Sequence, residues 1–270
     1  MGVSNAHTDR AAVFSLDRFV DLRGLVNREG ISQQLALSRR SSIVELRGGA
    51  GWGKTSAAVA YAAERHRAGA QVILIEGDGR VRICPAPDGD VLYVIDDCEV
   101  SDEVADELIS RVQEDGRVQI IVCSRERHPL IQRAHVNGLV TRRVDLGDFR
   151  LTAVELLEIA RTRGVQLDPR RGEYVVHAAG GWPIVAIGFI DLFADGARDA
   201  SMASIDHLVT RSFEVVLSDL LGEGALPLLV KATLSGGIRR EATGARGKTS
   251  PLESLVERVR RLGLGEWVSA

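Results

Sequence analysis

A chain of 270 residues with 45% hydrophobic and 26% charged residues can bury one large core or two to three smaller ones. The formal net charge of −3 supplies no excess of cations to displace counterions from nucleic acid, so the chain as a whole does not read as a nucleic-acid binder. No apolar run approaches the roughly 20 residues of a membrane span, and the opening "MGVSNAHTDRAAVFS" lacks a signal-peptide layout. A cytoplasmic protein without a membrane partner is expected, its three cysteines (Cys84, Cys98, Cys123) reduced and without metal-type spacing.

Residues 1–19 read as a flexible lead, followed by a helix over about 32–38. "SIVELR" at 42–47 is a strand, a glycine cluster follows, and "KTSAAVAYAAERHRAG" is an alanine-rich helix ended by Gly69. Three near-continuous apolar runs come next: "QVILIE" at 71–76, "VLYVIDD" at 91–97 and "VQIIVCS" at 118–124. Runs of this kind suit a parallel sheet covered on both faces. Between the last two lies a helix with Ser101 as N-cap, acids in its first turn and Gly116 as its stop. A fifth strand is expected over 139–146, closing an α/β domain at 20–149.

The pattern then turns helical over 150–220. Thr152 with Glu155 three residues on forms a capping box, the Gly180 and Gly181 pair stops the next helix, and Pro183 opens a third. A longer helix runs from about 202 to 221, and 221–270 holds two or three short helices.

"GGAGWGKT", spanning Gly48, Gly49, Ala50, Gly51, Trp52, Gly53, Lys54 and Thr55, satisfies the phosphate-loop pattern of Gly, four residues, then Gly-Lys-Thr. Its context is a strand before and a helix after, with Ser56 in the first helical turn. Glycines let backbone N–H groups turn inward onto an anion, and the helix N-terminus adds its dipole. Lys54 is then expected on the β- and γ-phosphates and the Thr55 hydroxyl on magnesium. A second stretch, "GARGKTS" at 244–250, has Ala242 where the leading glycine belongs, no strand before it and Pro251 behind it; it reads as a solvated loop.

A phosphate loop needs a carboxylate to hold magnesium, and Asp96 at the end of "VLYVIDD" is the natural partner. Asp97 is placed to orient or deprotonate an attacking water. Ser124 or Arg125, at the tip of the next strand, would face the γ-phosphate, with the arginine sensing its charge. Arg127 and His128 are expected to face solvent. For Trp182, in "GGWPIVA", stacking on a base competes with filling an interdomain core, and local chemistry favours the core.

In this order "RGGAGWGKTSAA", "LYVIDD", "IIVCSRERHPL", "FRLTAVELLEIARTRGV" and "AGGWPIVA" resemble the STAND class of signal-transduction ATPases. The likeness covers about 20–220 and points toward the large LuxR-type regulators typified by the maltose-regulon activator. Trp52 takes the aromatic position that precedes Gly-Lys-Thr there. The resemblance implies a P-loop NTPase sheet of order 5-1-4-3-2, an adjoining helical domain and, over 221–270, the start of a winged helix. It implies that Gly181 and Pro183 approach the nucleotide. It also implies that Val26, Arg28 and Glu29 belong to an adenine-contacting element, which departs from the family at Asn27. Arg125 matches its sensor arginine.

Two departures stand out. The 14 residues between Glu76 and Val91 are too few for the usual helix and loops, and sensor repeats and a DNA-reading helix-turn-helix are absent from the sequence. The resemblance implies an ATP/ADP- and magnesium-dependent switch with slow hydrolysis that self-associates in the ATP state. Its inducer is undefined, and DNA contact is reserved to a domain outside this sequence. Two alternatives stay open: a working P-loop ATPase of the motor type, and a nucleotide-binding module without hydrolysis. Against the motor stands Asp97, where fast hydrolysers carry glutamate.

Overall fold

The computed structural model describes residues 28–37, 42–76, 89–139, 141–145, 147–194, 202–222, 227, 255, 257–259, 261 and 262. They fall into two compact units. One holds residues up to Arg47 together with Lys54–Val144; the other holds Gly48–Gly53 together with residues from Asp145 onward.

The first unit is a five-stranded sheet flanked by helices. Its strands are β1 (Ser42–Arg47), β2 (Gln71–Ile75), β3 (Val91–Asp96), β4 (Val118–Ser124) and β5 (Thr141–Val144). They pair in the order β2-β3-β4-β1-β5, every pair parallel, which is the expected 5-1-4-3-2 arrangement. The apolar runs explain the layering: all of β4 and residues 91–95 of β3 are buried, as strands covered on both faces must be.

Helices α1 (Glu29–Leu37), α2 (Lys54–Arg67), α3 (Asp102–Glu114) and α4 (Pro129–Val136) complete the unit. On α3, Ala105, Leu108, Ile109 and Val112 recur at helical spacing and enter one core with Tyr93, Ile95, Ile120 and Val122. A fully buried leucine such as Leu108 contributes about 1.5–3 kcal/mol. Ser101 caps α3 by accepting from the Val104 amide, as its position in the sequence predicts. The C-terminal end of α1 is tied down by a buried polar triplet. Tyr61 Oη donates to Gln119 Oε1 at 3.1 Å and lies 3.4 Å from the Leu35 carbonyl, to which Gln119 Nε2 donates at 3.0 Å.

The second unit contains α5 (Ala153–Thr162), α6 (Pro169–Ala178), α7 (Pro183–Ala194) and α8 (Met202–Leu221). The Thr152–Glu155 capping box forms in both directions, and Pro183 occupies the first turn of α7. The apolar α7 buries Val185, Ala186, Phe189, Ile190 and Phe193, and Ser212 of α8 donates to the Val185 carbonyl at 2.7 Å. Near the end of the chain, Leu255 and Val259 pack on Leu221, and Arg258 bonds its carbonyl.

Four details depart from the sequence reading. The first helix begins at Glu29 and the fifth strand shrinks to four residues. Helix α4 was not anticipated: its start is marked by His128 and Pro129 rather than by a Ser, Thr, Asp or Asn cap. His128 itself is buried, not solvent-facing, because its ring is the cap. Nδ1 accepts from the Leu130 amide, which leaves the proton on Nε2 to bond the Cys98 carbonyl at 2.9 Å. Arg127 is exposed, as expected. Outside the described residues lie the lead at 1–19, Val26, the connection at 77–88 with Cys84, the second glycine-lysine stretch and nearly all of the expected winged helix.

Candidate functional site

The chain leaves β1 at Arg47, runs through the loop Gly48–Gly53 and enters α2 at Lys54, so the strand, loop and helix demanded by the phosphate-loop pattern are present. Two loop glycines have left-handed backbone, Gly51 at φ 74° and Gly53 at φ 81°, a region that side chains with a Cβ avoid. Gly48 and Gly49 are buried, and Ser56 lies exposed in the first turn of α2.

The loop is braced from the second unit, to which it belongs. Trp182 donates its indole N–H to the Ala50 carbonyl at 3.1 Å, and the Ile184 amide donates to the Gly51 carbonyl at 3.2 Å. Ile184 is in the first turn of α7, so its amide is one of the N–H groups that a helix cannot satisfy internally. The Trp52 and Trp182 rings stack at 6.3 Å between centroids, and Phe213 of α8 tilts against Trp182 at 6.1 Å. The Ala50 amide is taken by the Leu262 carbonyl at 2.8 Å. Gly181, at φ 72°, and the buried Pro183 lead into α7 beside these contacts. Sequence reasoning placed Trp182 in a core; its hydrogen bond to the loop had no local signature, since it joins residues 132 positions apart.

Within the first unit, Lys54, Thr55, Asp96, Asp97 and Arg125 converge at the carboxyl ends of β3 and β4. Thr55 Oγ1 donates to Asp96 Oδ1 at 3.0 Å. Lys54 is buried, and its ammonium is held below the usual lysine range, first by burial and also by the Arg125 charge, with Asp97 and Asp96 opposing. Asp96 is pushed above the usual aspartate value, first by burial and further by Asp97, while the Thr55 hydrogen bond works against this. Asp97 sits just past β3 at φ 49°, its amide bonded to the Cys123 carbonyl, and its carboxylate forms an ion pair with Arg125.

Glu45 is a buried carboxylate that the sequence did not reveal. Glu45 on β1, 2% exposed, accepts from Ser124 Oγ at 3.3 Å and from the His128 amide at 3.2 Å. It fixes both ends of the segment carrying Arg125. Glu76, the residue after β2, stands close enough to Asp96 for their charges to interact; burial first and then Asp96 push its carboxyl up. Arg28 precedes α1 and its carbonyl accepts the Ile31 and Ser32 amides.

The oxygen donors fit magnesium. A hard, reluctantly dehydrated ion takes one or two protein oxygens beside phosphate and water, which a threonine hydroxyl and one carboxylate supply. Among the described residues no group of three or more His, Cys, Asp or Glu forms an all-protein metal cage. No helix among them is long and apolar enough to cross a membrane.

No family model and no curated protein matches the chain. Solved structures do. A Walker-type ATPase of Pyrococcus abyssi aligns with a TM-score of 0.50 at 14% identity, covering 87% of this chain and 89% of that one. The RuvB Holliday junction branch migration motor of Thermotoga maritima aligns at 0.47 and 15% identity, over 92% and 87% of the two chains. AMPPCP-bound DnaA from Aquifex aeolicus aligns at 0.43 and 15%, over 84% and 78%. The parallel sheet, its strand order and the loop between β1 and α2 give this chain the P-loop NTPase fold.

Proposed function

We propose that the chain binds ATP and ADP with Mg2+ through Gly48–Gly53, Lys54 and Thr55, and acts as a slow ATPase switch. The observation that carries the proposal is the pair of hydrogen bonds from Trp182 and the Ile184 amide to the carbonyls of Ala50 and Gly51. A ligand that reshapes the loop must strain or relax those bonds, so the occupant of the loop is felt by α7. Such coupling is what a switch requires, because a ligand shifts an equilibrium only by its differential affinity for two states. The fold match to a Walker-type ATPase supports nucleotide use.

The roles follow from chemistry. Backbone amides of the loop and the α2 N-terminus bind phosphate oxygens, and the buried Lys54 ammonium at the start of α2 adds its charge. Thr55 and Asp96 hold magnesium, which neutralises charge on the β- and γ-phosphates. Arg125 senses the γ-phosphate, with Asp97 as its partner when that phosphate is gone. The domain plan goes with this reading: nucleotide domain at 20–149, helical domain at 150–220 and the start of a winged helix at 221–270. So do the adenine contacts of Val26 and Arg28, the approach of Pro183, self-association in the ATP state, and the STAND-type role in regulated transcription. The inducer has no candidate among these residues, and DNA would be met through another domain.

The test is direct. Lys54→Ala should weaken ATP affinity by about 100-fold, the equivalent of one or two charge-assisted hydrogen bonds. Equilibrium titration with a fluorescent ATP analogue measures it, and unchanged affinity would sink the assignment. Co-purified ADP with negligible turnover supports the switch; many ATP hydrolysed per second supports the motor.

A further inference from the structure

We infer that Glu76 is the carboxylate that holds and deprotonates the attacking water, an inference that rests on the ATP-hydrolysing reading above. The sheet register carries it. Ile75 of β2 pairs with Ile95 of β3, so Glu76, one residue on, falls beside Asp96. Residues in register on neighbouring parallel strands project to the same face. The row continues from Asp96 to Cys123 and from Cys123 to Leu46. Glu76 therefore shares a face with the one carboxylate that Thr55 marks as the magnesium partner.

Its backbone is held in that place. Cys98 Sγ, in the turn after β3, donates to the Ile75 carbonyl at 3.3 Å, so the peptide that leads into Glu76 is pinned to the segment carrying Asp97. Glu76 is exposed, and among the described residues no hydrogen bond or ion pair engages its carboxylate. Asp97 differs in this respect: Arg125 has taken it up.

The step balances without any further reactant. The water oxygen bonds to the γ-phosphorus of the nucleoside triphosphate as Glu76 takes the water proton. The bond from that phosphorus to the β,γ-bridging oxygen breaks, and its electron pair leaves with the diphosphate. The proton returns from Glu76 to the released phosphate.

The experiment compares Glu76→Gln, Glu76→Asp and Asp97→Asn in the full chain by two readouts: single-turnover phosphate release, and ATP affinity titrated against Mg2+. For Glu76→Gln, phosphate release should fall by about 100-fold, the lower end of what a positioned base supplies. ATP affinity and its Mg2+ requirement should stay within about twofold. Glu76→Asp should recover part of the rate, and Asp97→Asn should lose less than Glu76→Gln. Turnover retained in Glu76→Gln overturns the inference. So does a raised Mg2+ requirement, which makes Glu76 a metal-side group, or a wild-type chain that binds ATP but releases no phosphate. In those three outcomes nucleotide binding still stands; a wild-type chain that binds neither ATP nor ADP overturns both.

Discussion

Replacing Gly51 with alanine adds one methyl group where two separate costs meet. The backbone at φ 74° lies in the left-handed region, which costs an L-residue about 1–2 kcal/mol. The new Cβ would also lie 2.5 Å from Ile184 Cγ2 and 2.9 Å from Ile184 Cβ, and forcing extra volume into such a contact costs about 1–3 kcal/mol. Gly53 is the internal control. Its φ of 81° carries the same backbone cost, but nothing lies within 4 Å of its added Cβ. Gly53→Ala should therefore lose about 1–2 kcal/mol and Gly51→Ala about 2–5 kcal/mol, the difference being the contact with α7. Thermal unfolding followed by tryptophan fluorescence reads this, at about 2–4 °C per kcal/mol for a chain of this size. Adding Ile184→Ala removes the 2.5 Å neighbour and leaves the 2.9 Å one, so the double variant should be less destabilised than the sum of its parents. Equal losses at the two glycines, or strict additivity in the double variant, would refute the claim that α7 bears on the loop.

Two further predictions concern the carboxylates Asp96 and Glu45. Because burial raises the Asp96 carboxyl above 3.8, the folded chain binds its proton more tightly than the unfolded one, and stability falls as pH rises through the window that opens at 3.8. Asp96→Asn should therefore raise the melting temperature of the nucleotide-free chain at neutral pH, with the gain vanishing below 3.8; a lower melting temperature at neutral pH contradicts the sign. Glu45→Leu strands the Ser124 hydroxyl and the His128 amide at about 1–3 kcal/mol each, whereas Glu45→Gln keeps an acceptor and should lose less. Urea midpoints of the two variants separate these outcomes, and equal losses would mean that the acceptor is not what matters.

The sheet was legible because its signals are local. Uninterrupted runs such as "VQIIVCS" can be buried on both faces only in a parallel sheet, and Ser101 and Thr152 cap their helices through residues three positions away. What escaped the sequence are the contacts between distant positions. Nothing near Glu45 announces that it accepts from residues 79 and 83 positions on, and nothing near His128 announces an imidazole serving as a helix cap. Trp182 reads as core by local chemistry, yet its half-buried indole nitrogen donates to a loop carbonyl. Glu76 was passed over as the last letter of a strand; only the register with β3 sets it beside Asp96.

These charges bear on how a switch could be built. Without nucleotide, Lys54 is a buried cation and Asp96 a half-buried acid, each pushed by burial toward its neutral form. On the proposed reading, triphosphate adds negative charge beside Lys54 and Mg2+ adds positive charge beside Asp96, so binding opposes the burial penalty at both. Ligand that binds only the folded chain stabilises it by mass action, by about 2.7 kcal/mol when it stands at 100 times its dissociation constant. The loop that would receive the phosphates on this reading is also the loop whose carbonyls hold Trp182 and the Ile184 amide. A diphosphate and a triphosphate differ in what they offer Arg125, which pairs with Asp97 otherwise. On that reading the Arg125–Asp97 pair is where the presence of a γ-phosphate would register. Slow turnover would let each nucleotide state persist long enough for α7 to respond.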